Sequence, residues 1–389
     1  MPYFDHNATA PLEPAARAAW LDAADRVWHN PSGLHAAASR ARELLEDCRE
    51  RLADLLGTPD PRRIVFTAGA TAADNLLARH VARTARADAV VVLSPIEHPA
   101  VAAAFQGALA GRVVETGCDA DGVVTPAHLA AALDEARGGP VACVSVMAAG
   151  NESGVLEPWE ALAAACREHA IPFHTDAAQW LGKLPAAGLA ACDWVTGSAH
   201  KFGGPRGVGF LLVPAECPFR GDAGGPHEGG RHAGTENLPA ISGMVAALEA
   251  REAGLAAAAA RGGAARDAAI VRLRHDLPGS VVVSGGAARL WNTLALLVPG
   301  ADSRRLVAAL DRAGIEASTG SACSSGAAAG ARVVAAITAR HGAMLPGGAG
   351  MVRLSSGAET SAQEWLAAAA TIVAAAAEGA APPPRVALG

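Results

Sequence analysis

The sequence lacks paired cysteines, a secretory leader and any apolar run long enough to cross a membrane. Its seven cysteines are scattered without a CxxC pair, so neither a disulfide framework nor a zinc site is indicated. The first residues, MPYFDHNATA, contain no basic segment followed by an apolar one. The Ala-rich stretch at 366–377 is too short to span a bilayer. We therefore expect reduced thiols and a cytoplasmic protein that uses neither a metal nor a membrane.

A strong excess of one charge is also absent. The 389 residues carry a formal net charge of −6, and no long basic run is present. Binding to nucleic acid requires clustered Lys and Arg side chains, so no nucleic-acid partner is expected. A chain of this length buries roughly three quarters of its unfolded surface and can form two domains. A small-molecule substrate is the simplest expectation.

Short β-rich runs alternate with helical stretches through the first half of the chain. This order predicts an α/β fold with a mainly parallel sheet and crossover helices. The apolar spacing of residues 41–57 predicts one such helix, which Gly57 ends. The predicted strands are RIVFTAG at 63–69, AVVVLSP at 89–95, VACVSVM at 141–147, IPFHTD at 171–176 and WVTGSA at 194–199.

The composition of the chain changes after about residue 250. The Ala- and Gly-rich segment at 254–269 predicts an interdomain helix that is broken at its glycines. Two β-rich runs, SVVVSG and NTLALLV, and helices near 303–313 and 361–377 follow it. This pattern is typical of a smaller α+β domain. We expect a large domain at 15–255 and a small domain built from 1–14 and 256–389.

A single lysine follows a predicted strand among very small residues. Lys201 lies in TGSAHKFGGPRGVGF, at 196–210. A free lysine has a pKa of about 10.4 and is a poor nucleophile, but burial lowers that pKa, and condensation with an aldehyde removes the charge. Small neighbours leave room for a flat ring. Pyridoxal 5'-phosphate (PLP), which requires a lysine, is the candidate cofactor.

PLP also requires an acid for its ring nitrogen and a cup for its phosphate. Asp176 ends an apolar strand and could hold the ring nitrogen protonated. The loop TAGAT at 67–71 follows a strand and opens a helix, so its N–H groups and the Thr71 hydroxyl could bind phosphate. Each pattern also has a commoner explanation, as a helix cap, a glycine turn or a solvated lysine. Their order along one βα array favours the cofactor site.

A series of motifs extends these three patterns over nearly the whole chain. In order they are YFDHNATAP, HNPSGLH, FTAGATAADN, IEHPAV, GNESG, FHTDAAQ, SAHKFGGPRGVG, GRHAGTEN, GIEASTGSACSSG and VRLSSG. With these motifs the sequence resembles the cysteine desulfurases, in the class V aminotransferase branch of the PLP-dependent fold type I superfamily. The resemblance implies that fold and PLP as the cofactor.

The resemblance also implies roles for the matching residues. Lys201 would attach PLP, Asp176 would pair with its ring nitrogen, and His98 would stack on the ring and help to move protons. Arg353 would clamp the substrate carboxylate, a task that suits its bidentate fork. Thr235 would reach the phosphate of the partner subunit, which implies a homodimer. Further contacts to the cofactor are implied for Ala70, Thr71, Asn151, Gln179, Ser198 and His200, and Asn151 would also lie beside the substrate.

Cys323 differs from the other six cysteines in its neighbours. It lies in STGSACSSG, where small residues favour a loop that can move and expose the thiol, whereas the others lie in apolar periodic segments. A thiol with a pKa of ~8.5 is only a few per cent thiolate at pH 7, yet that fraction is strongly nucleophilic. The resemblance implies that Cys323 takes the sulfur of L-cysteine as a persulfide, releases L-alanine and passes the sulfur to an acceptor protein.

Departures from the family pattern leave alternatives open. The family commonly has His-x-Asn-Asn-Glu where this chain has Ala148 to Glu152, and Gln where it has His227. These changes bear on sulfur delivery and on the choice of partner. A selenocysteine lyase, a cysteine sulfinate desulfinase or another class V aminotransferase-like enzyme would share Lys201, Asp176 and Arg353. The non-enzymatic alternative is a catalytically silent partner that docks other sulfur proteins.

Overall fold

The computed structural model describes residues 1–222, 224–225, 227–320, 332–341 and 349–380. By its internal contacts the chain divides into two units. The large unit is Thr9–Gly150 with Val155–Leu255, and the small unit is Met1–Ala8, Asn151–Gly154 and Ala256–Gly389.

The N-terminal boundary differs from the expected one, which placed residues 1–14 in the small domain. The structure assigns residues 9–14 to the large unit. The reason is a pair of backbone hydrogen bonds: the Ala10 N–H donates to the carbonyl of His200 at 2.7 Å, and the Glu13 N–H donates to that of Gly203 at 2.8 Å. This segment is therefore tied to the turn that carries Lys201.

A seven-stranded sheet forms the centre of the large unit, in the order β1-β7-β6-β5-β4-β2-β3. Strands β2 to β6 pair in parallel, whereas β7 pairs antiparallel with both β1 and β6. The fold class is thus the predicted α/β class with a mainly parallel sheet. The strands are β1 (Ile64–Thr67), β2 (Val90–Leu93), β3 (Val113–Glu115), β4 (Val141–Ser145), β5 (Phe173–Asp176), β6 (Trp194–Ser198) and β7 (Gly209–Leu212).

Helices connect the strands of this sheet. Helix α2 has the predicted apolar face, with Leu45, Cys48 and Leu52 buried, and ends at Gly57, whose φ of +80° favours glycine. The helices that begin in the large unit are α1 (Pro14–Arg26), α2 (Ala36–Leu56), α3 (Ala70–Thr84), α4 (Pro99–Ala108), α5 (Pro126–Glu135), α6 (Trp159–Glu168), α7 (His227–Gly230) and α8 (Leu238–Asp276). Short 3₁₀ segments lie at Pro61–Arg63, Ala136–Gly138, Leu189–Ala191 and Ala199–Lys201.

The small unit is built on a three-stranded antiparallel sheet in the order β10-β9-β8. One apolar cluster fills it, in which Phe4 and Trp365 meet edge to face with their ring centroids 4.9 Å apart. The α+β character expected of this part of the chain is what the structure has. Its elements are β8 (Val281–Val282), β9 (Thr293–Val298), α9 (Ser303–Arg312), α10 (Arg332–His341), β10 (Gly350–Ser355) and α11 (Ala362–Ala380).

The predicted glycine break at 254–269 is wrong, because α8 runs without interruption from Leu238 to Asp276. Packing explains the glycines better than a break does. A Cβ placed on Gly262 would lie 2.7 Å from Cζ3 of Trp291, so only glycine lets that ring approach the helix. The cost of glycine in a helix, about 1 kcal/mol, is offset here by burial of the Trp291 ring.

We expect Gly262→Ala to lower the free energy of unfolding by roughly 1–3 kcal/mol, because the new methyl group overlaps the Trp291 ring. Gly263→Ala is the matched control. Its Cβ would lie 3.9 Å from Trp291 Cβ, so the better helix propensity of alanine should stabilise the protein by up to about 1 kcal/mol. Urea unfolding of both variants measures the difference. Equal stabilisation by both substitutions would contradict the packing explanation.

Candidate active site

Lys201 and Asp176 follow neighbouring strands of the large unit. Strands β5 and β6 are parallel, with Asp176 opposite Thr196, so their carboxyl ends lie at the same edge of the sheet. Asp176 is the last residue of β5, and Lys201 ends the 3₁₀ turn that follows β6. Lys201 is half-buried, and its positive charge lowers the pKa of Asp176. This edge is where open α/β sheets bind their ligands.

The Asp176 carboxylate is 5% exposed, and neighbouring polar and charged groups partly compensate its negative charge. Burial, the largest influence, raises its pKa above the usual value, and His98 when it is protonated, the Ala178 N–H and the charge of Lys201 offset part of that rise. The Ala178 N–H donates to Oδ1 at 2.8 Å. An anion held in this way can pair with a protonated ring nitrogen.

His98 has a structural task besides the predicted chemical one. It is the N-cap residue of α4, and its Nδ1 accepts a hydrogen bond from the Ala100 N–H at 3.1 Å. In the neutral ring the proton is therefore on Nε2. Pro99 at the first helical position, preset to a helical φ, fixes the start of α4 and so the place of the ring. The motif IEHPAV is thus both a helix start and a candidate proton carrier.

The TAGAT loop meets the requirements of a phosphate cup. Its Gly69 is the N-cap of α3 with a φ of +138°, and the 15-residue helix directs its first N–H groups outward. A Cβ on Gly69 would lie 3.6 Å from Ser198 Oγ, and a Cβ on Gly209 would lie 2.7 Å from Gly69 Cα. Glycine is therefore required at 69 by its positive φ and at 209 by the close approach of the Gly69 backbone. Ala70 and Thr71, both predicted contacts, form the first turn of α3.

Gln179 and His200 are each held by a partner that was not predicted from the sequence. Gln179 is buried, and its Oε1 accepts a hydrogen bond from Lys183 Nζ at 3.0 Å. His200 Nδ1 lies 3.1 Å from Thr9 Oγ1. Burial, and then the charge of Lys201, lower the pKa of His200 to about 4, so its ring is neutral at pH 7.

The segment that carries Thr235 is anchored by a buried ion pair. Glu228 accepts hydrogen bonds from both terminal nitrogens of Arg49 at 2.9 Å and from the Phe66 N–H at 2.9 Å. A pocket of about 150 Å³ lies beside it, and its lining includes Thr67, Glu228 and Thr235. Thr235 is exposed within this chain.

Arg353 lies on β10 of the small unit and is 2% exposed. Its Nη2 donates to Asp5 Oδ1 at 2.6 Å, and its Nη1 donates to the Asn151 carbonyl at 2.9 Å. Its Nε is buried and has no hydrogen-bond partner among the described residues. The structure thus brings together two predicted residues, Arg353 and Asn151. It adds Asp5, whose motif YFDHNATAP pointed to the family but gave no role for the carboxylate.

Ala148 and His227 are positions at which the sequence departs from the family pattern. Ala148 is buried, and its N–H donates to the Asp176 carbonyl at 2.9 Å, so this departure lies directly beside β5. His227 Nδ1 lies 3.0 Å from Glu236 Oε2. Cys323 lies outside the described residues, so its role stays a prediction.

The described residues contain neither a candidate metal site nor a helix that could cross a membrane. No cluster of three or more His, Cys, Asp or Glu side chains there could hold a metal ion. In the same ranges, no helix combines the length and the apolar character that a membrane crossing requires.

The double task of His98 can be separated by two substitutions. We expect His98→Ala to lower the free energy of unfolding by about 1 kcal/mol, because the N-cap acceptor is lost, whereas His98→Asn should keep the cap. Both variants lose the imidazole ring. Urea unfolding should therefore distinguish the two variants, while an assay of alanine formation from L-cysteine should find both impaired. Wild-type alanine formation by the asparagine variant would show that only the cap matters.

Comparisons with known proteins agree with this geometry. The profile of the family "Aminotransferase class-V" matches residues 2–365. A cysteine desulfurase of Klebsiella pneumoniae is 36% identical over 349 residues, which cover 87% of this chain and 86% of that protein. An IscS-like cysteine desulfurase of Mycobacterium tuberculosis is 34% identical and covers 92% of this chain and 91% of its own.

Solved structures show the same likeness. A NifS-like protein superposes with a TM-score of 0.85 at 28% identity, over 96% of this chain and 99% of its own. A structure described as SspA in complex with cysteine has a TM-score of 0.76 at 26% identity, over 92% of this chain and 99% of its own. From its sequence profile and from these relatives, the chain belongs to the class V aminotransferase family and, within it, to the cysteine desulfurases.

Proposed function

We propose that this protein is a PLP-dependent cysteine desulfurase that converts L-cysteine to L-alanine and carries the released sulfur on Cys323. The observation that carries the proposal is the placement of Lys201 and Asp176 at adjoining strand ends, with the charge of Lys201 acting on the buried carboxylate. The relatives named cysteine desulfurase support the same activity.

The residues of the large unit fit PLP. Lys201 would attach the cofactor and Asp176 would hold the proton of its ring nitrogen. The first N–H groups of α3 and the Ser198 hydroxyl would bind the phosphate, since a helix N-terminus favours an anion and Ser198 Oγ lies close to Gly69, the N-cap of that helix. Further contacts, as the sequence predicted, would come from Ala70, Thr71, His98, Asn151, Gln179, His200 and Thr235.

When bound, PLP supplies an electron sink for the bond that is broken at the α-carbon of the amino acid. The chain supplies the proton transfers and the orientation. Lys201 Nζ would take the α-proton of L-cysteine and later return a proton to the product. Arg353, whose Nε has no hydrogen-bond partner among the described residues, would bind the substrate carboxylate. A solved relative described as a complex with cysteine supports this substrate.

The sulfur would move to Cys323. Its thiolate would attack the substrate sulfur, so that a sulfur–sulfur bond forms as the carbon–sulfur bond breaks, and protonation of the carbon skeleton gives L-alanine. The persulfide would then be passed to an acceptor protein. Other thiols are less suitable: burial raises the pKa of Cys48 to about 11 and the pKa values of Cys166 and Cys192 to about 12. The six cysteines among the described residues are not in disulfides, which fits the proposed cytoplasmic location.

We expect the enzyme to be a homodimer in which Thr235 contributes to the partner subunit's phosphate site. Thr235 is exposed within this chain, so its hydroxyl is accessible to a partner subunit. Thr235→Ala should therefore raise the Kd for PLP by roughly tenfold, the loss of about one hydrogen bond to a charged group. Sedimentation of the holoenzyme measures the assembly. A fully active monomer would contradict the shared site.

Two variants test the two chemical roles. Lys201→Ala should lower alanine formation from L-cysteine by at least ~10²-fold, because the proton carrier is lost. Cys323→Ser should keep PLP and bind L-cysteine but release no sulfur, because no cofactor contact is removed and a hydroxyl cannot accept sulfur. The assay incubates the purified holoenzyme with L-cysteine and measures alanine and sulfide together.

Mass spectrometry provides the control for Cys323. Wild type treated with L-cysteine without reductant should carry one added sulfur on the peptide that contains Cys323, and Cys323→Ser should not. Desulfuration by Cys323→Ser at the wild-type rate would instead favour a selenocysteine lyase or a sulfinate desulfinase. Near-normal alanine formation by Lys201→Ala would contradict the assignment of Lys201, and no alanine from wild type would favour a docking protein.

A further inference from the structure

A second carboxylate is buried close to Asp176. Asp74 lies on the core-facing side of α3 and is 0% exposed. Neither of its side-chain oxygens has a hydrogen-bond partner among the described residues. A buried carboxylate without donors is costly, by several kcal/mol for the ionised form, and it becomes neutral unless a charge compensates it. Asp74 was not singled out by its sequence pattern.

The neighbours of Asp74 lie on one face of the central sheet. His174 and Asp176 stand two residues apart on β5, so their side chains point to the same face, and Thr196 is the register partner of Asp176 on β6. His174 Nε2 is 3.9 Å from Asp74 Oδ1 and 3.4 Å from Thr196 Oγ1. The charge of Asp176 acts on Asp74 directly.

His174 offers Asp74 no positive charge. The Ser145 hydroxyl donates to Glu97 Oε1 at 3.0 Å, so its oxygen accepts from His174 Nδ1 at 2.8 Å. This chain of bonds places the imidazole proton on Nδ1 and leaves Nε2, the nitrogen nearer to Asp74, as an acceptor. Burial lowers the pKa of His174 to about 3, so the ring is neutral. An acceptor facing a carboxyl group favours the protonated acid.

We propose that Asp74 is a neutral carboxylic acid that keeps the one proton of a buried carboxylate pair, and that it thereby leaves Asp176 as the single anion beneath Lys201. Asp74 is in this sense a positioning residue, because it acts on the site through Asp176. The link to the ring nitrogen of PLP rests on the proposed function, whereas the placement of the proton does not.

The proton resides on Asp74 and not on Asp176 because their surroundings differ. Asp176 accepts a hydrogen bond from the Ala178 N–H at 2.8 Å, and the positive charge of Lys201 favours its ionised form. For Asp74, burial and then the charge of Asp176 raise the pKa well above the usual value, Glu97 adds to the rise, and the nearby Thr196 hydroxyl, which lies outside hydrogen-bonding geometry, offsets little of it. Two carboxylates that share one low-dielectric site do not both ionise at neutral pH.

One negative charge also suits the task of Asp176. A second anion beside it would raise the pKa of Asp176 further and weaken its hold on a defined proton at the ring nitrogen. A neutral acid at position 74 avoids that repulsion and still occupies the same volume. The helix that opens the phosphate cup would therefore also set the charge state at the other end of the cofactor.

Unfolding as a function of pH tests the proton on Asp74. The folded protein keeps this proton and the unfolded chain loses it above a pH of about 4, so stability falls as pH rises. Between pH 5 and 8 the unfolding constant of the wild-type apoprotein should rise about tenfold more per pH unit than that of Asp74→Asn. The matched control Asp176→Asn should keep the wild-type slope, because Asp74 still retains its proton in that variant.

The outcomes are distinct. If the unfolding constants of wild type and Asp74→Asn depended on pH in the same way, the proposal would be overturned. It would also be overturned if Asp176→Asn lost the pH dependence while Asp74→Asn kept it. Infrared spectra of the apoprotein at pH 7 should show a protonated-carboxyl band that disappears in Asp74→Asn and remains in Asp176→Asn. Absence of this band from wild type would also overturn it.

The link to the cofactor has its own measurement. In protein loaded with ¹⁵N-labelled PLP, the ring nitrogen should be protonated in wild type and in Asp74→Asn, where a neutral amide replaces the neutral acid, but not in Asp176→Asn. A deprotonated ring nitrogen in Asp74→Asn would overturn the link while leaving the apoprotein result intact. A failure of the proposed function would instead appear as no formation of alanine from L-cysteine by the wild-type holoenzyme.

Discussion

Buried charge requires compensation, and this constraint organises the large unit. Removing a carboxylate from water costs several kcal/mol unless donors or cations replace the lost hydration. Asp176 obtains both, a donor from the Ala178 N–H and a cation from Lys201. Only the parallel pairing of β5 and β6, which brings their ends to one edge, makes this compensation possible. Asp74 lacks such compensating donors and cations, and its carboxyl group must therefore be neutral.

The same constraint acts in the small unit with the signs reversed. Arg353 is a nearly buried cation, and Asp5 and two backbone carbonyls, those of Asn151 and Gly320, surround its guanidinium. The ion pair holds the side chain in one orientation, which would preorganise its planar fork for the proposed substrate carboxylate. The N-terminal residues therefore contribute to the charge balance of the unit as well as to its apolar core, in which Phe4 is fully buried.

Local patterns in the sequence predicted the strands and the TAGAT loop, because an apolar run followed by glycine and a helix start is encoded within a few residues. Pairs that are distant in the sequence were missed. Nothing near Asp5 indicates Arg353, and nothing near Gln179 shows that Lys183 turns back to hold its amide. The glycines of α8 were interpreted wrongly, since helix propensity gave way to the packing of Trp291.

The proposed phosphate cup differs from the ring end of the proposed site in how it responds to acid and base. Its donors would be main-chain amides at the start of α3 and the hydroxyl of Ser198, beside a His200 ring that stays neutral. None of these groups changes its charge near neutral pH. The groups around Asp176, in contrast, share a small number of protons. The two halves of the proposed binding site therefore differ chemically. The phosphate end consists mainly of backbone groups, whose charge does not change with pH, and the ring end consists of side chains whose protonation sets its charge.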